Sequence, residues 1–162
     1  MDPFVHWVRS TPASNWINST VWIWPLCETL HFIGLSLVIG IVGFFDLRLM
    51  GFFKRVSIGA ARELIPFAIG GVLLNLSTGL VFLIGLPEQY AHNRAWWIKV
   101  GFLVLAAFNA LLYETTLARR LTNLSEGDDT PPAAKLIGAL SLVSWFGVLY
   151  WGRMLPFIGD AF

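Results

Sequence analysis

Charged residues are scarce in this chain: they make up 13% of its 162 residues, whereas hydrophobic residues make up 56%. A soluble domain has about a quarter of its residues as Asp, Glu, Lys and Arg, so this composition excludes an ordinary soluble fold. The net charge is only +1, and no basic patch interleaved with aromatic residues is present, which argues against nucleic acid as a partner. Cys27 is the only cysteine, so no disulfide can form within the chain.

Long apolar stretches are abundant, at about 22–45, 65–85, 96–117 and 135–154. Each reaches the roughly 20 residues that a helix needs to cross the hydrocarbon core of a bilayer. They predict an all-α polytopic membrane protein, a bundle of four transmembrane helices that forms a single domain over 1–162. No connecting segment is long enough to be a domain, so any activity has to reside in the bundle or at its rim. The lipid bilayer is the first expected partner.

The segment of about 1–21 mixes aromatic and aliphatic residues with polar ones, and it lacks the compact apolar region of a cleavable signal. This mixture predicts a short interfacial segment that lies on the membrane surface. A docking arm for a partner is the alternative. The first long helix is then expected to act as an uncleaved insertion signal.

The distribution of Lys and Arg near the ends of the spans predicts the orientation, because cytoplasmic loops retain positive charge. Seven lie on the side of the helix 1–2 and 3–4 loops and four on the other side. Both termini are therefore expected to face outward, an N-out/C-out topology. Five tryptophans fall at the outer helix ends, as expected of an interfacial belt: Trp22, Trp24, Trp96, Trp97 and Trp151.

Polar residues inside a membrane are expensive, and each one suggests a function. Glu28 and His31 lie three residues apart, on one face of the first helix and in its outer half. Lys99 begins the third helix and Arg153 ends the fourth, on the same side. These four residues predict an outward-facing polar cluster that binds an anionic headgroup or a quinone oxygen, or passes a proton. The structural alternative is an ion pair of Glu28 with one of the cations.

Metal and haem sites have weak support in this sequence. Cys27 and His31 are adjacent on a helix and are the candidate metal ligands, but a third convergent ligand is not evident. His31 is the only histidine within a span, since His6 and His92 fall in outer segments. Haem b therefore stays an alternative that the single intramembrane histidine disfavours. No serine has a histidine and an acid obviously placed for a catalytic triad, and an enzyme is not expected.

The remaining intramembrane polar residues suggest structural roles. Asn75 and Asn109 are expected to hydrogen-bond between helices, and Gly71 and Gly79, with Ser36 and Gly40, to line close helix contacts. At the inner end, Arg48 is expected to extend to lipid phosphates. Asp46 is expected to pair with Lys135 or with an arginine of the last loop.

Five segments carry a family resemblance that covers nearly the whole chain: ETLHFIG from Glu28, FDLRLMG from Phe45, WIKVG from Trp97, FNALL from Phe108 and KLIGALSLVSWFGVLYWGR from Lys135. With them the chain resembles a family of small bacterial inner-membrane proteins with a domain of unknown function. The resemblance implies the bacterial inner membrane and supplies no activity. More distantly, the bundle is similar to cytochrome-b-type and copper-resistance-D-type membrane domains, in which histidines on facing helices hold haem or lie near a metal. Some family members have a histidine where this chain has Tyr113, and this departure weakens the haem analogy.

Together these features predict an accessory or scaffold subunit of a larger membrane assembly, one that takes part in electron transfer. Other membrane subunits or further copies of the chain are the expected protein partners. A redox carrier that holds haem b or a quinone near His31 is the first alternative. A metal-handling protein or a small-solute transporter that uses Glu28, Cys27 and His31 is the second.

Overall fold

A computed structural model describes residues 2–121, 124 and 126–158. Across these residues the secondary structure is helical, with no strand. Four helices are long and apolar enough to cross a membrane, which confirms the predicted all-α fold with four transmembrane helices. They are α3 (Ile23–Leu49), α5 (Ile65–Gly85), α7 (Arg94–Thr116) and α9 (Pro132–Met154).

Short helices connect and cap the long ones. They are α1 (Pro3–Arg9), α2 (Pro12–Ser19), α4 (Ile58–Arg62), α6 (Pro87–Ala91) and α8 (Ala118–Leu121), and a 3₁₀ turn follows α9 at Leu155–Phe157. Because α1, α2 and α6 gather at one end of the bundle, we call it the arm end. The opposite end, which carries α4 and α8, is the α4 end.

The long helices differ little from the predicted stretches, and the differences follow local chemistry. The prediction ended the first stretch at residue 45, whereas α3 continues to Leu49, with Asp46 and Arg48 buried against the rest of the protein. Helix α9 begins at Pro132, before the predicted residue 135, since proline is well suited to the first turn of a helix.

Close packing of the long helices follows the order α5, α3, α9, α7. Helix α3 packs against both α5 and α9, and α7 packs against α9. Within the described part of the chain, α5 and α7 make at most marginal contact. The bundle is therefore least closed between α5 and α7.

Glycines bring α3 and α5 together. A Cβ added at Gly71 would lie 2.8 Å from the carbonyl oxygen of Gly34, and one added at Gly34 would lie 2.7 Å from Nδ2 of Asn75. The predicted contact positions Gly71 and Asn75 thus lie at this crossing. The expected hydrogen bond of Asn75 between helices was wrong: its amide donates to the carbonyl oxygen of Gly71 in its own helix at 3.0 Å, and its oxygen has no partner among the described residues. The predictions for Gly79 and Gly40 were wrong, because a Cβ at either position would meet no atom within 4 Å.

Other polar contacts hold α9 against its neighbours. The side-chain amide of Asn109 on α7 donates a hydrogen bond of 3.0 Å to the carbonyl oxygen of Ile137 on α9, across the helix seam as expected. At Gly138 an added Cβ would lie 2.7 Å from the carbonyl oxygen of Asp46, so α3 and α9 also approach closely. Ser36, expected at a seam, is exposed and donates to the carbonyl oxygen of Phe32 in its own helix.

Two expectations for the α4 end were wrong. Arg48 does not extend to lipid: it is fully buried, and its Nε donates to the carbonyl oxygen of Val56 at 2.6 Å. Lys135 does not pair with Asp46 but with Asp129, at 2.9 Å. In both cases the partner is a loop residue beside the helix end. For Arg48 it replaces the predicted lipid phosphate, and for Lys135 it replaces the predicted Asp46 of α3.

The N-terminal arm (α1 and α2) is docked on its own bundle. Helix α1 packs on α6 and α2 packs on α5, with Val5, Val8 and Ile17 buried. Arg9 and Glu88 form a two-pronged ion pair with distances of 2.7 and 2.9 Å. The hydrogen bonds from Arg9 lower the pKa of Glu88. Trp7 and Trp16 of the arm remain exposed, whereas Val5, Val8 and Ile17 are buried.

Candidate functional site

The histidine of α3 is fixed by a hydrogen bond to α5. Nδ1 of His31 lies 2.7 Å from Oγ1 of Thr78, and the Thr78 hydroxyl donates its proton to the carbonyl oxygen of Leu74 at 2.8 Å. The threonine oxygen therefore accepts from the imidazole, which assigns the proton of a neutral ring to Nδ1. Nε2 of His31 is left with a lone pair.

Aromatic rings support the same imidazole. The ring of Phe82, one turn beyond Thr78 on α5, lies 5.5 Å from the His31 ring in a tilted arrangement. Trp24 stacks on the ring of Phe82, with ring centroids 5.7 Å apart. The Thr78 hydroxyl and the aromatic column formed by Phe82 and Trp24 thus restrict the orientation of the His31 ring.

A cation from α7 faces this histidine. Lys99 is half-buried and close enough to His31 for the two groups to interact electrostatically. A Cβ added at Gly152 would lie 3.8 Å from Nζ of Lys99, so the ammonium group lies against α9. Among the described residues Lys99 has no ion-pair or hydrogen-bond partner. The site therefore holds one uncompensated positive charge beside a hydrogen-bond acceptor.

Glu28 lies at the rim of this site, toward the arm end. It is exposed, and within the described residues it forms no ion pair with Lys99 or Arg153, so the structural alternative predicted for it is not formed. Its charge acts on Tyr90 of α6: burial, with a smaller effect of Glu28, raises the pKa of Tyr90 to about 12. The phenol therefore stays protonated at neutral pH and is a hydrogen-bond donor at the rim.

The fourth residue of the predicted cluster lies apart. Arg153 is exposed, and its guanidinium lies 5.8 Å from the ring centroid of Phe157. The structure thus brings His31 and Lys99 within electrostatic range, with Glu28 nearer the arm end, and among the described residues Arg153 contacts Phe157 and forms no ion pair with Glu28. Thr78, Phe82 and Tyr90 were not predicted from the sequence as residues of the site. Thr78 lies three residues after Asn75 on one helix face, and that spacing was the available signal.

The candidate metal ligands do not converge. Cys27 is buried in a small apolar cluster with Ile17 and Ile23. The described residues include no group of three or more His, Cys, Asp and Glu side chains that could hold a metal ion. His92 lies at the arm end, where its Nε2 is 2.9 Å from a carboxylate oxygen of Asp2.

The site can therefore accept a hydrogen bond at Nε2 of His31 and donate several from the Lys99 ammonium. A ligand that offers a hydroxyl donor to Nε2 of His31 and an acceptor oxygen to Lys99 satisfies both groups. Comparisons of the chain with protein-family models, curated proteins and solved structures found no match.

Proposed function

We propose that this protein is an integral accessory subunit of a larger membrane assembly, and that the His31–Lys99 site binds the polar head of a membrane-soluble quinone. The observation that carries the proposal is that Nε2 of His31 and the Lys99 ammonium lie within electrostatic range of each other and that neither has a hydrogen-bond partner among the described residues. Leaving polar groups of this kind without partners in a low-dielectric setting is unfavourable, so a ligand that pairs with both gains affinity.

The reduced form of a quinone fits this pair of groups better than a phosphodiester does. One hydroxyl oxygen of the quinol accepts from Lys99 while the other hydroxyl donates to Nε2 of His31, whereas the oxidised quinone satisfies Lys99 alone. A phosphodiester offers only acceptor oxygens, which suit Lys99 but oppose the lone pair of His31. The aromatic column of Phe82 and Trp24 supplies flat apolar surface beside the imidazole.

The helix arrangement supports entry from the bilayer. Helices α5 and α7 carry Thr78 and Lys99 but pack together at most marginally. A quinone with an apolar tail could reach the polar groups between these helices while its tail remains in lipid.

The role as an accessory subunit rests on other features. Four candidate membrane helices and their connections make up most of the described chain. The N-terminal arm also has exposed tryptophans at the arm end. We place the protein in the bacterial inner membrane because of the family resemblance, and its arm end outward because of the seven-to-four division of Lys and Arg. The same exposed aromatic side chains are available to lipid and to neighbouring subunits.

Purification from native membranes tests both parts of the proposal. The tagged chain in mild detergent is expected to retain quinone in the organic extract, and to lose most of it in Lys99→Met. Lys54→Met is the matched control, because Lys54 lies at the α4 end. Quinone retained equally by all three preparations would contradict the site. Sharp absorption bands on reduction with dithionite would instead favour the haem alternative at His31.

The assembly is tested in the same preparation. Stoichiometric co-purification of other membrane proteins is expected, and removal of residues 1–20 is expected to weaken it. A preparation that holds this chain alone under several mild detergents would contradict the accessory role, and an assembly unchanged by the truncation would contradict a role of the arm in docking.

A further inference from the structure

A buried carboxyl group near the α4 end is not used by the His31–Lys99 site. Asp46 lies in the last turn of α3 and is 3% exposed. Its backbone carbonyl meets α9 at Gly138, and the Ser141 hydroxyl of α9 lies close enough to the carboxyl group to interact with it. Oδ2 of Asp46 is buried and has no hydrogen-bond partner among the described residues.

Four cations of the α4 end have partners other than Asp46, although Nη1 of Arg48 is buried without a hydrogen-bond partner among the described residues. Arg48 donates to the carbonyl oxygens of Val56 and Asp128, at 2.6 and 3.4 Å. The other engaged cations pair with carboxylates: Lys54 and Lys135 with Asp129 at 3.4 and 2.9 Å, and Arg62 with Glu114 at 2.6 Å. In the described part of the chain, no cation lies within ion-pair distance of Asp46.

An unpaired carboxylate at this position is strongly disfavoured. The penalty for taking a charge out of water is several kcal/mol per ion even after the protein relaxes. The carboxyl-terminal turn of a helix also carries a partial negative charge, which opposes an acidic side chain. Asp46 lies in that turn of α3, so the protein around it adds to the penalty. A positive counter-charge is therefore needed, and the described side chains do not supply it.

A neutral hydroxyl lies beside the Asp46 carboxyl group, that of Ser141 on α9. The Tyr113 hydroxyl of α7 is also buried and has no hydrogen-bond partner among the described residues, but it interacts with the charges of Arg62 and Glu114 and not with that of Asp46. Two helices, α3 and α9, thus bring a carboxyl group and a serine hydroxyl together.

We propose that Asp46, with Ser141 beside it, binds an exchangeable monovalent cation, either a proton or a sodium ion. Both ions supply the missing positive charge, and both are bound by oxygen atoms. The unpartnered oxygen of Asp46 is the binding atom, and Ser141 provides the neighbouring oxygen. This site is independent of the His31–Lys99 site.

Carbodiimide labelling of the intact protein tests the site. A hydrophobic carbodiimide modifies protonated carboxyl groups in apolar surroundings, and peptide mass spectrometry locates the modification. We expect Asp46 to be labelled in sodium-free membranes and the label to be absent from Asp46→Asn. Wild-type peptides assign the position even if that variant folds poorly. Asp129→Asn is the control, because it removes an exposed carboxylate at the same end and should leave labelling of Asp46 unchanged.

The sodium dependence separates the two ions. Protection of Asp46 by sodium, with no protection by potassium, identifies a sodium site. Labelling of Asp46 that does not change with the sodium concentration but declines as the pH is raised identifies a proton site. If Asp46 remains unlabelled across pH and sodium concentration while a carboxyl at another position of the same protein reacts, the carboxylate is permanently paired and the proposal is overturned.

Discussion

The crossing of α3 and α5 gives the sharpest test of the packing. Gly71→Ala places a Cβ 2.8 Å from the carbonyl oxygen of Gly34 and 3.0 Å from Cβ of Leu37. Both neighbours belong to the body of α3, so the two helices have to separate. Gly70→Ala is the matched control: it changes the adjacent residue of the same helix, where an added Cβ meets no atom within 4 Å.

The magnitude follows from comparing these two variants. Replacing glycine by alanine within a helix favours the helix by roughly 0.5–1 kcal/mol, and this gain is common to both. The difference between them isolates the steric cost, which for overpacking a close-packed contact is about 1–3 kcal/mol. Gly71→Ala should therefore unfold more readily than Gly70→Ala, by about fivefold to more than a hundredfold in the equilibrium constant.

Unfolding in mixed micelles of mild and denaturing detergent, followed by far-UV circular dichroism, measures this difference. Gly34→Ala with Gly40→Ala as its control repeats the test on α3. Equal stability of Gly70→Ala and Gly71→Ala would refute the close approach of α3 and α5 at this point. Destabilisation by Gly40→Ala as large as that by Gly34→Ala would refute the assignment of faces on α3.

Three further predictions concern polar contacts. Because pairing with Arg9 lowers the pKa of Glu88, docking of the N-terminal arm should gain stability above the ordinary pKa of 4.5 and lose it as the pH falls through the lowered value. Glu88→Gln should abolish this dependence and weaken docking by about 0.2–1 kcal/mol, measured by hydrogen exchange in the arm. Asn109→Leu removes the hydrogen bond to Ile137 and should destabilise the bundle by about 0.6–1.7 kcal/mol in the same micelle assay, whereas no change would show that the bond contributes nothing. Asp129→Asn removes the anion shared by two lysines, and should speed amide exchange of the loop at 126–130; unchanged exchange would contradict a structural role.

Hydropathy predicted the four long helices, because burial in a bilayer requires about 20 apolar residues whatever their order. It could not predict which helix faces meet. A transmembrane helix is apolar on every side, so no periodic pattern distinguishes a seam from a lipid-facing surface. Gly71 and Gly79 look equivalent in the sequence, yet an added Cβ meets α3 at the first and open space at the second. The partner of Arg48 was predicted wrongly for a related reason: it is a backbone carbonyl oxygen in a loop, and no residue type in the sequence indicates such a partner.

The candidate site was predicted in part. His31 and Lys99 were found because ionisable residues are rare in transmembrane helices. Thr78 and Tyr90 were missed, since a hydroxyl is common in apolar helices and α6 is a single short turn outside the predicted stretches. Arg153 was included because it lies at the correct helix end, but a residue at a helix end can turn along its own chain, as Arg153 does toward Phe157.

Direct titration with a short-chain quinone tests the central claim, that His31 and Lys99 bind a quinone head. Quenching of tryptophan fluorescence in detergent reports binding, because Trp24 stacks on the ring beside His31. Loss of a hydrogen bond to a charged group is worth about 1.5–3 kcal/mol, so Lys99→Met should weaken binding by at least tenfold, and Lys54→Met should leave it unchanged. Saturable binding of equal affinity in wild type, Lys99→Met and His31→Phe, or no saturable binding at all, would contradict the account.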